Sequence, residues 1–212
     1  MEEIIVFGCG GHAKSVIDCI LAQGVYHIAA IVGTKRELGK RCCGIEVSYT
    51  DEDGEELFRK GLRKCFIAIG NLESFNLREG LYARAKKIGF ALVNIIDKSA
   101  VVSQSAVIGE GVFIGKNCVV NAEVVLGDQV IVNNGCIIEH DCRIGDFTHI
   151  APGAVICGQV GIGRSSFIGA NSTVVHCKSI GNECLVGAGS VVTQDIADGV
   201  KAYGNPCREA GK

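Results

Sequence analysis

The chain has 212 residues and a formal net charge of −2, with 21 basic and 23 acidic residues. This balance gives no broad positive surface, so composition argues against nucleic acid or an anionic membrane as a partner. No apolar run approaches the roughly 18 residues that a membrane-spanning helix needs. The acidic start of the chain, Met-Glu-Glu-Ile, does not resemble a secretory signal. We therefore expect a cytoplasmic protein whose twelve cysteines are reduced thiols.

The first half of the chain alternates strand and helix signals. Apolar runs predict strands at Ile4–Phe7, Ala29–Val32, Cys65–Ile69 and Phe90–Ile96. Helical spacing of apolar residues predicts helices over Lys14–Gln23, Glu55–Lys64 and Ser74–Ile88. This order predicts an α/β domain over residues 1–97, a Rossmann-like parallel sheet with helices on its faces.

A strict repeat begins at Val102. An aliphatic residue recurs every six positions from Val102 to Val192, sixteen times without a slip, and the position four residues later is mostly small. Such a hexapeptide repeat winds three short strands per coil, so that residues eighteen apart stack and the aliphatic side chains fill a prism. Residues 98–197 are therefore predicted to form an all-β parallel β-helix, followed by a C-terminal tail over 198–212.

The three corners of the predicted prism differ in composition. At one corner the residue after the aliphatic position is always glycine, and at a second it is mostly glycine. We interpret these glycines as tight turns with positive φ. The third corner has no glycine at this position, where the residues are Asn121, Glu139, Cys157, Val175 and Thr193. This corner either uses a turn that needs no glycine or forms the wall of a site.

His140 lies at the third corner between Glu139 and Asp141, with His176 two coils further on. A histidine beside a carboxylate suits general-base catalysis, because the acid orients the ring and stabilises the imidazolium. His149 follows half a coil later and is expected to face away from His140. His149 is either a plain surface residue or part of the same active site as His140. In the second case, the two histidines can serve one reaction only if a second subunit supplies one of them. The spacing thus predicts active sites between subunits of a closed homotrimer.

A metal site at this corner is the alternative to a general base. His140, His176, Asp141, Cys157 and Cys177 share the corner stack, but they lack the short paired spacing of structural zinc sites. We therefore expect no metal.

The chain resembles, over nearly its whole length, the bacterial nucleotide-sugar acetyltransferases of the sialic-acid and bacillosamine pathways, the NeuD/PglD-type family. The motifs that carry the resemblance are Gly8-Cys-Gly-Gly-His12, Phe66-Ile-Ala-Ile-Gly70-Asn71, Asn133, Glu139-His140-Asp141, His149 and Tyr203-Gly-Asn-Pro206. It implies that the β-helix is left-handed. It also implies an acetyl-CoA-dependent N-acetyltransferase acting on the amino group of a nucleotide-linked amino sugar, similar to a UDP-4-amino sugar, by direct attack on the thioester.

The resemblance also implies roles for single residues. His140 matches the general base, Asp141 stands where relatives carry Glu, and Asn133 matches a polar residue near the acceptor amine. The residues that match acetyl-CoA contacts are His149, Ala170 and Ala188. Those that match contacts with the UDP-sugar are Gly10, Gly11, His12 and Gly70.

The turn after the first strand also fits the dinucleotide fingerprint, as Gly8-x-Gly10-x-x-Ala13. That fingerprint requires a carboxylate at the end of the second strand, which here ends in Val32-Gly33. NAD is therefore not expected. Relatives commonly have an acidic pair where Val32 and Gly33 stand, so the nucleotide carrier stays open.

Three other functions remain as alternatives: an O-acetyltransferase of the sialic-acid type, a non-catalytic trimeric scaffold and a metal-dependent β-helix lyase.

Overall fold

The computed structural model describes residues 1–70 and 75–210. The chain folds as two compact units, residues 1–98 and residues 99–212. Asn71 and Ser74, which belong to a predicted motif and a predicted helix, lie outside the described residues.

The first unit is the α/β parallel-sheet domain that the sequence predicts. Its strands are β1 (Glu2–Phe7), β2 (Tyr26–Gly33), β3 (Arg41–Cys42), β4 (Ile45–Thr50), β5 (Lys64–Ile67), β6 (Ala91–Leu92) and β7 (Ile95–Ile96). Its helices are α1 (Gly11–Gln23), α2 (Gly54–Arg59) and α3 (Phe75–Ile88), with a short 3-10 turn at Asp51–Asp53. Six of the strands form one sheet in the order β3-β4-β2-β1-β5-β6, and only β3 runs antiparallel to its neighbour.

The hairpin β3–β4 was not predicted from the sequence. Its second strand alternates polar and apolar residues, and only Val47 and Thr50 are buried there. The run Phe90–Ile96 is two short strands and not one, and α2 ends at Arg59, five residues before the predicted end. The core of the sheet is built from fully buried aliphatic residues of β1 and β5, such as Ile5 and Ile67.

The second unit is a β-helix of hexapeptide repeats. Its sixteen two-residue strands, β8 to β23, begin at Val101, Val107, Phe113, Val119, Val125, Ile131, Ile137, Arg143, His149, Val155, Gly161, Phe167, Thr173, Ser179, Leu185 and Val191. Each strand ends on the aliphatic residue of its hexad. These residues are buried from Ile114 to Val192, and only Val102 and Ile108 in the first coil are partly exposed. β24 (Lys201–Tyr203) and β25 (Arg208–Glu209) follow.

Strands eighteen residues apart pair in parallel and form three faces. One face runs β10, β13, β16, β19 and β22; a second runs β8, β11, β14, β17, β20 and β23; a third runs β9, β12, β15, β18 and β21. The side chains of Cys118, Cys136, Cys142 and Cys184 are fully buried, so these cysteines fill the interior as predicted.

The interpretation of the corner glycines as turns with positive φ is wrong, because no glycine directly after an aliphatic position of the described repeat has positive φ. Gly145 and Gly163, at the corner that always has glycine, do not have positive φ. A Cβ on Gly145 would lie 2.6 Å from the backbone nitrogen of Arg164 in the next coil. Glycine is required there because stacked coils approach closely. The left-handed residues lie two positions later and are mostly not glycine, as at Asp141 with φ 60°.

No helix in the described part of the chain is long and apolar enough to cross a membrane.

Candidate functional site

The turn between β1 and α1 brings backbone N–H groups to the carboxyl edge of the sheet. Gly8 has φ 112°, and a Cβ there would lie 2.9 Å from the carbonyl oxygen of Ala68. Gly8 therefore lets the ends of β1 and β5 approach each other. Gly10 is the N-cap of α1, and the helix begins at Gly11. The free N–H groups and the dipole of a helix N-terminus favour an anion such as a diphosphate.

His12 lies in the first turn of α1 beside Gly70, where a Cβ would lie 3.5 Å from the Cβ of His12. Burial, and then the charge of Arg78, lower the pKa of His12 to about 3. The imidazole is therefore neutral at physiological pH. Arg78 of α3 is only 1% exposed, and burial lowers its pKa to about 10, which leaves it charged. The four predicted substrate residues thus lie around one turn, with a neutral histidine and a buried cation beside it.

A cleft of about 100 Å³ lies next to this turn. The ends of β1, β2 and β5 form its floor, which is where ligands bind in open α/β sheets. Its walls are mainly apolar, with Val32, Ile69, Leu77 and Leu81 among the lining residues, and Glu37 also lines it. Sequence reasoning missed Glu37, because the expected acid was sought within β2 and this one follows the strand by four residues.

In the β-helix, His140 and Asp141 form a hydrogen bond at the turn after β14. Nδ1 of His140 lies 2.8 Å from Oδ2 of Asp141, and both side chains are exposed. Because a carboxylate only accepts hydrogen bonds, Nδ1 carries the proton and Nε2 keeps its lone pair. Glu139 instead accepts a hydrogen bond from Nδ2 of Asn121 at 2.9 Å. Asp141 is therefore the carboxylate that orients the ring.

Gly158 lies one coil above His140 and was missed in the sequence. A Cβ at this position would lie 2.7 Å from both Cε1 and Nε2 of His140. The imidazole thus lies over the bare backbone of Gly158. The signal that could have identified Gly158 is its position eighteen residues after His140, in the same column as His176.

Asn133 and the three predicted acetyl-CoA residues lie elsewhere on the prism. Nδ2 of Asn133 lies 3.3 Å from Nε2 of His149, and the His149 ring makes an edge contact with Phe167 at a centroid distance of 5.1 Å. Ala170 and Ala188 follow β19 and β22 in the same corner as Asn133. His149 is only 6% exposed.

The candidate residues of the β-helix therefore fall into two groups on one chain. His140 and Asp141 follow a strand of the face β11-β14-β17, whereas His149 lies on a strand of the face β13-β16-β19. Among residues 1–70 and 75–210, no group of three or more His, Cys, Asp or Glu side chains is placed to hold a metal ion.

Family models match both units. Residues 3–85 match the PglD N-terminal domain. Residues 105–139 and 123–158 match the bacterial transferase hexapeptide family of six repeats, and residues 159–194 match the hexapeptide repeat of succinyl-transferase. The fold and these repeats define a hexapeptide-repeat acyltransferase.

Solved structures similar to this chain indicate which hexapeptide-repeat acyltransferases it resembles. A His-to-Asn mutant of perosamine N-acetyltransferase from Caulobacter crescentus, in complex with CoA and GDP-perosamine, is 37% identical with a TM-score of 0.94, over 100% of this chain and 98% of its own. The acetyltransferase domain of PglB from Neisseria gonorrhoeae, in complex with acetyl coenzyme A, is 34% identical with a TM-score of 0.91, over 99% of both chains. The chain belongs to the NeuD/PglD-type family of nucleotide-sugar N-acetyltransferases.

Proposed function

We propose that the protein transfers the acetyl group of acetyl-CoA to the amine of a nucleotide-linked amino sugar, with His140 as the general base. The observation that carries this proposal is the 2.8 Å contact between Nδ1 of His140 and Asp141. It leaves Nε2 of an exposed histidine free to take a proton. The CoA-bound relatives described above support the donor, and GDP-perosamine in one of them supports a nucleotide-linked amine as acceptor.

The reaction needs no covalent enzyme intermediate. The amine attacks the thioester carbonyl, and a tetrahedral adduct forms. Nε2 of His140 takes a proton from the attacking nitrogen, while the C–S bond breaks and CoA leaves as a thiolate. The imidazolium then gives this proton to the thiolate, which restores the neutral His140. The Asp141 carboxylate stabilises the imidazolium that forms in this step.

Acetyl-CoA is proposed to bind along the edge that carries His149, Ala170 and Ala188, with Asn133 beside the acceptor amine. This edge and the His140 corner belong to different faces of one prism. A homotrimer in which each His140 corner meets the other edge of a neighbouring subunit brings the two groups together. We therefore propose that the active sites lie between subunits.

The nucleotide end of the acceptor is proposed to bind at Gly10, Gly11, His12 and Gly70. The N–H groups of the α1 N-terminus would receive the diphosphate. We also place the reaction in the cytoplasm, since the twelve free thiols are typical of a reducing compartment.

The test is turnover of acetyl-CoA, followed by thiol release, with GDP-, UDP- and TDP-linked amino sugars. The His140→Ala variant should lose about 100-fold or more of kcat and keep its affinity for CoA. Transfer to a sugar hydroxyl but not to an amine, or unchanged turnover in the variant, would contradict the proposal.

A further inference from the structure

Glu37 is held at the end of β2 by the residues around it. The backbone N–H and the hydroxyl of Thr34 both donate to Oε2 of Glu37, at 2.8 Å and 2.7 Å. A Cβ on Gly33 would lie 3.2 Å from both the Cβ and Oε2 of Glu37. The bare backbone at Gly33 thus lets the Glu37 side chain fold back against the strand end. The carboxylate is fixed in place and lines the cleft.

Glu37 is also held in its charged form. The hydrogen bonds from Thr34, and then one from the Cys9 thiol, lower the pKa of Glu37. Burial, and then the contact with Glu37, raise the pKa of Cys9 to about 11, so that Cys9 is a neutral donor. A carboxylate has about four acceptor positions, and the two Thr34 bonds and the Cys9 bond occupy three of them. Glu37 can therefore accept one further hydrogen bond from a ligand in the cleft.

The cleft combines this carboxylate with apolar walls. Val32, Ile69, Leu77 and Leu81 line it, and Leu77 is 52% exposed although it is a large apolar side chain. A flat aromatic ring would cover such surface, and the Glu37 carboxylate would bind a ring edge that carries N–H donors. A nucleobase has both features.

We propose that Glu37 selects the nucleobase of the nucleotide sugar and that the selected base is guanine. Guanine carries two neighbouring donors, N1–H and the N2 amino group. One of them can bind the open position of Glu37, and the other places a second N–H group, and not an oxygen, beside the carboxylate. Uracil presents a single N3–H between two carbonyl oxygens, and a carboxylate repels both of these oxygens. The inference rests on the proposed nucleotide-linked acceptor, but its test does not depend on acetyl transfer.

The competing contact for Glu37 is the ribose. In dinucleotide-binding folds a carboxylate near the end of the second strand accepts hydrogen bonds from ribose hydroxyls. Such a contact would serve all ribonucleotides equally. The apolar walls beside Glu37 favour the base, because a ribose does not need them. The two contacts predict different results when the base is varied.

The experiment is calorimetric titration of the full-length protein with GDP and with UDP, and of the variants Glu37→Gln and Glu52→Gln. Glutamine keeps the size of Glu37, and its oxygen can still accept the two Thr34 bonds. Its NH2 group then faces the ligand, where it can donate to a carbonyl oxygen of uracil but cannot accept a bond from the N–H groups of guanine. Glu52 is an exposed glutamate paired with Lys35 at 3.0 Å, so Glu52→Gln is the matched control.

The native protein should bind GDP at least about tenfold more tightly than UDP, because mismatched buried polar groups are costly. Glu37→Gln should remove or reverse this preference, whereas Glu52→Gln should keep it. If Glu37→Gln weakens the affinity for GDP and for UDP equally, Glu37 contacts the ribose and the inference is overturned. A native protein that binds both nucleotides equally well, or that binds neither, would also overturn it. Thiol release with an amino-sugar acceptor tests the proposed function separately, so either can fail alone.

Discussion

The amide nitrogen of Asn133 lies 3.3 Å from Nε2 of His149, although the family resemblance assigns one residue to the acceptor and the other to acetyl-CoA. The two are joined because β13 and β16 pair in register, Ile131 opposite His149. If Asn133 lies near the acceptor amine, then His149 lies there as well. The contact thus links the proposed acceptor and donor sites on one edge of the prism, away from His140 of the same chain.

This separation predicts complementation between two impaired variants. His140→Ala and His149→Ala subunits should each form trimers of low activity at limiting acetyl-CoA. In every mixed trimer, about a third of the sites (one of the three) pair an intact His140 with an intact His149 from the next subunit. Co-expression with two affinity tags and purification of mixed trimers should therefore yield activity well above that of either variant. Activity that only averages the two would place both histidines of a site on one chain.

Gly158→Ala should impair the base without removing it. The new methyl group would lie 2.7 Å from Nε2 of His140, so the ring must shift, and kcat should fall about 10- to 100-fold because a small misplacement of a catalytic group is costly. Affinity for CoA, measured by calorimetry, should change little.

Gly161→Ala is the matched control for Gly158→Ala. Gly161 lies in the next strand, and a Cβ there meets nothing within 4 Å. The control should keep native kcat, and a Gly158→Ala enzyme as active as this control would show that the ring position does not matter.

Asp141→Asn should lower kcat while the fold is kept. Asp141 has φ 60°, a conformation that Asn tolerates better than most residues. Alanine at this position would both strain the backbone and remove the charge, so the two effects on kcat could not be separated. Without the carboxylate, the imidazolium is no longer stabilised, and we expect kcat to fall about 10- to 100-fold with KM for acetyl-CoA nearly unchanged. Steady-state kinetics of Asp141→Asn and Asp141→Glu checks this; unchanged kcat in Asp141→Asn would exclude a role for the carboxylate.

The sequence predicts the two architectures because each has a local signal. The hexad alone determines which residues enter the prism, and the eighteen-residue coil places His140 and His149 on different faces without any tertiary information. The hairpin β3–β4 has a weaker signal, since Arg41–Cys42 has only two residues and Ile45–Thr50 alternates polar and apolar residues over only six.

The missed site residues depend on tertiary contacts. Gly158 matters only because the His140 ring lies over it. The eighteen-residue spacing places Gly158 in the column of His140, but it does not show that the ring lies on its backbone. Glu37 lies outside β2, and its position depends on a turn at Thr34 and on the missing side chain of Gly33. Sequence spacing therefore identified the strand end correctly but not the carboxylate that lies there.

The pKa of His12 predicts how stability depends on pH. Its pKa in the folded protein is about 3, below the value of about 6.5 for a free histidine, so below pH 6.5 the unfolded chain binds one more proton. Stability is lost as the pH falls from 6.5 towards 3, by at most about 2 kcal/mol between pH 7 and pH 5. His12→Asn should reduce this loss in urea unfolding at the two pH values. The exposed His27→Asn should not, and an equal pH response in all three proteins would contradict a buried neutral His12.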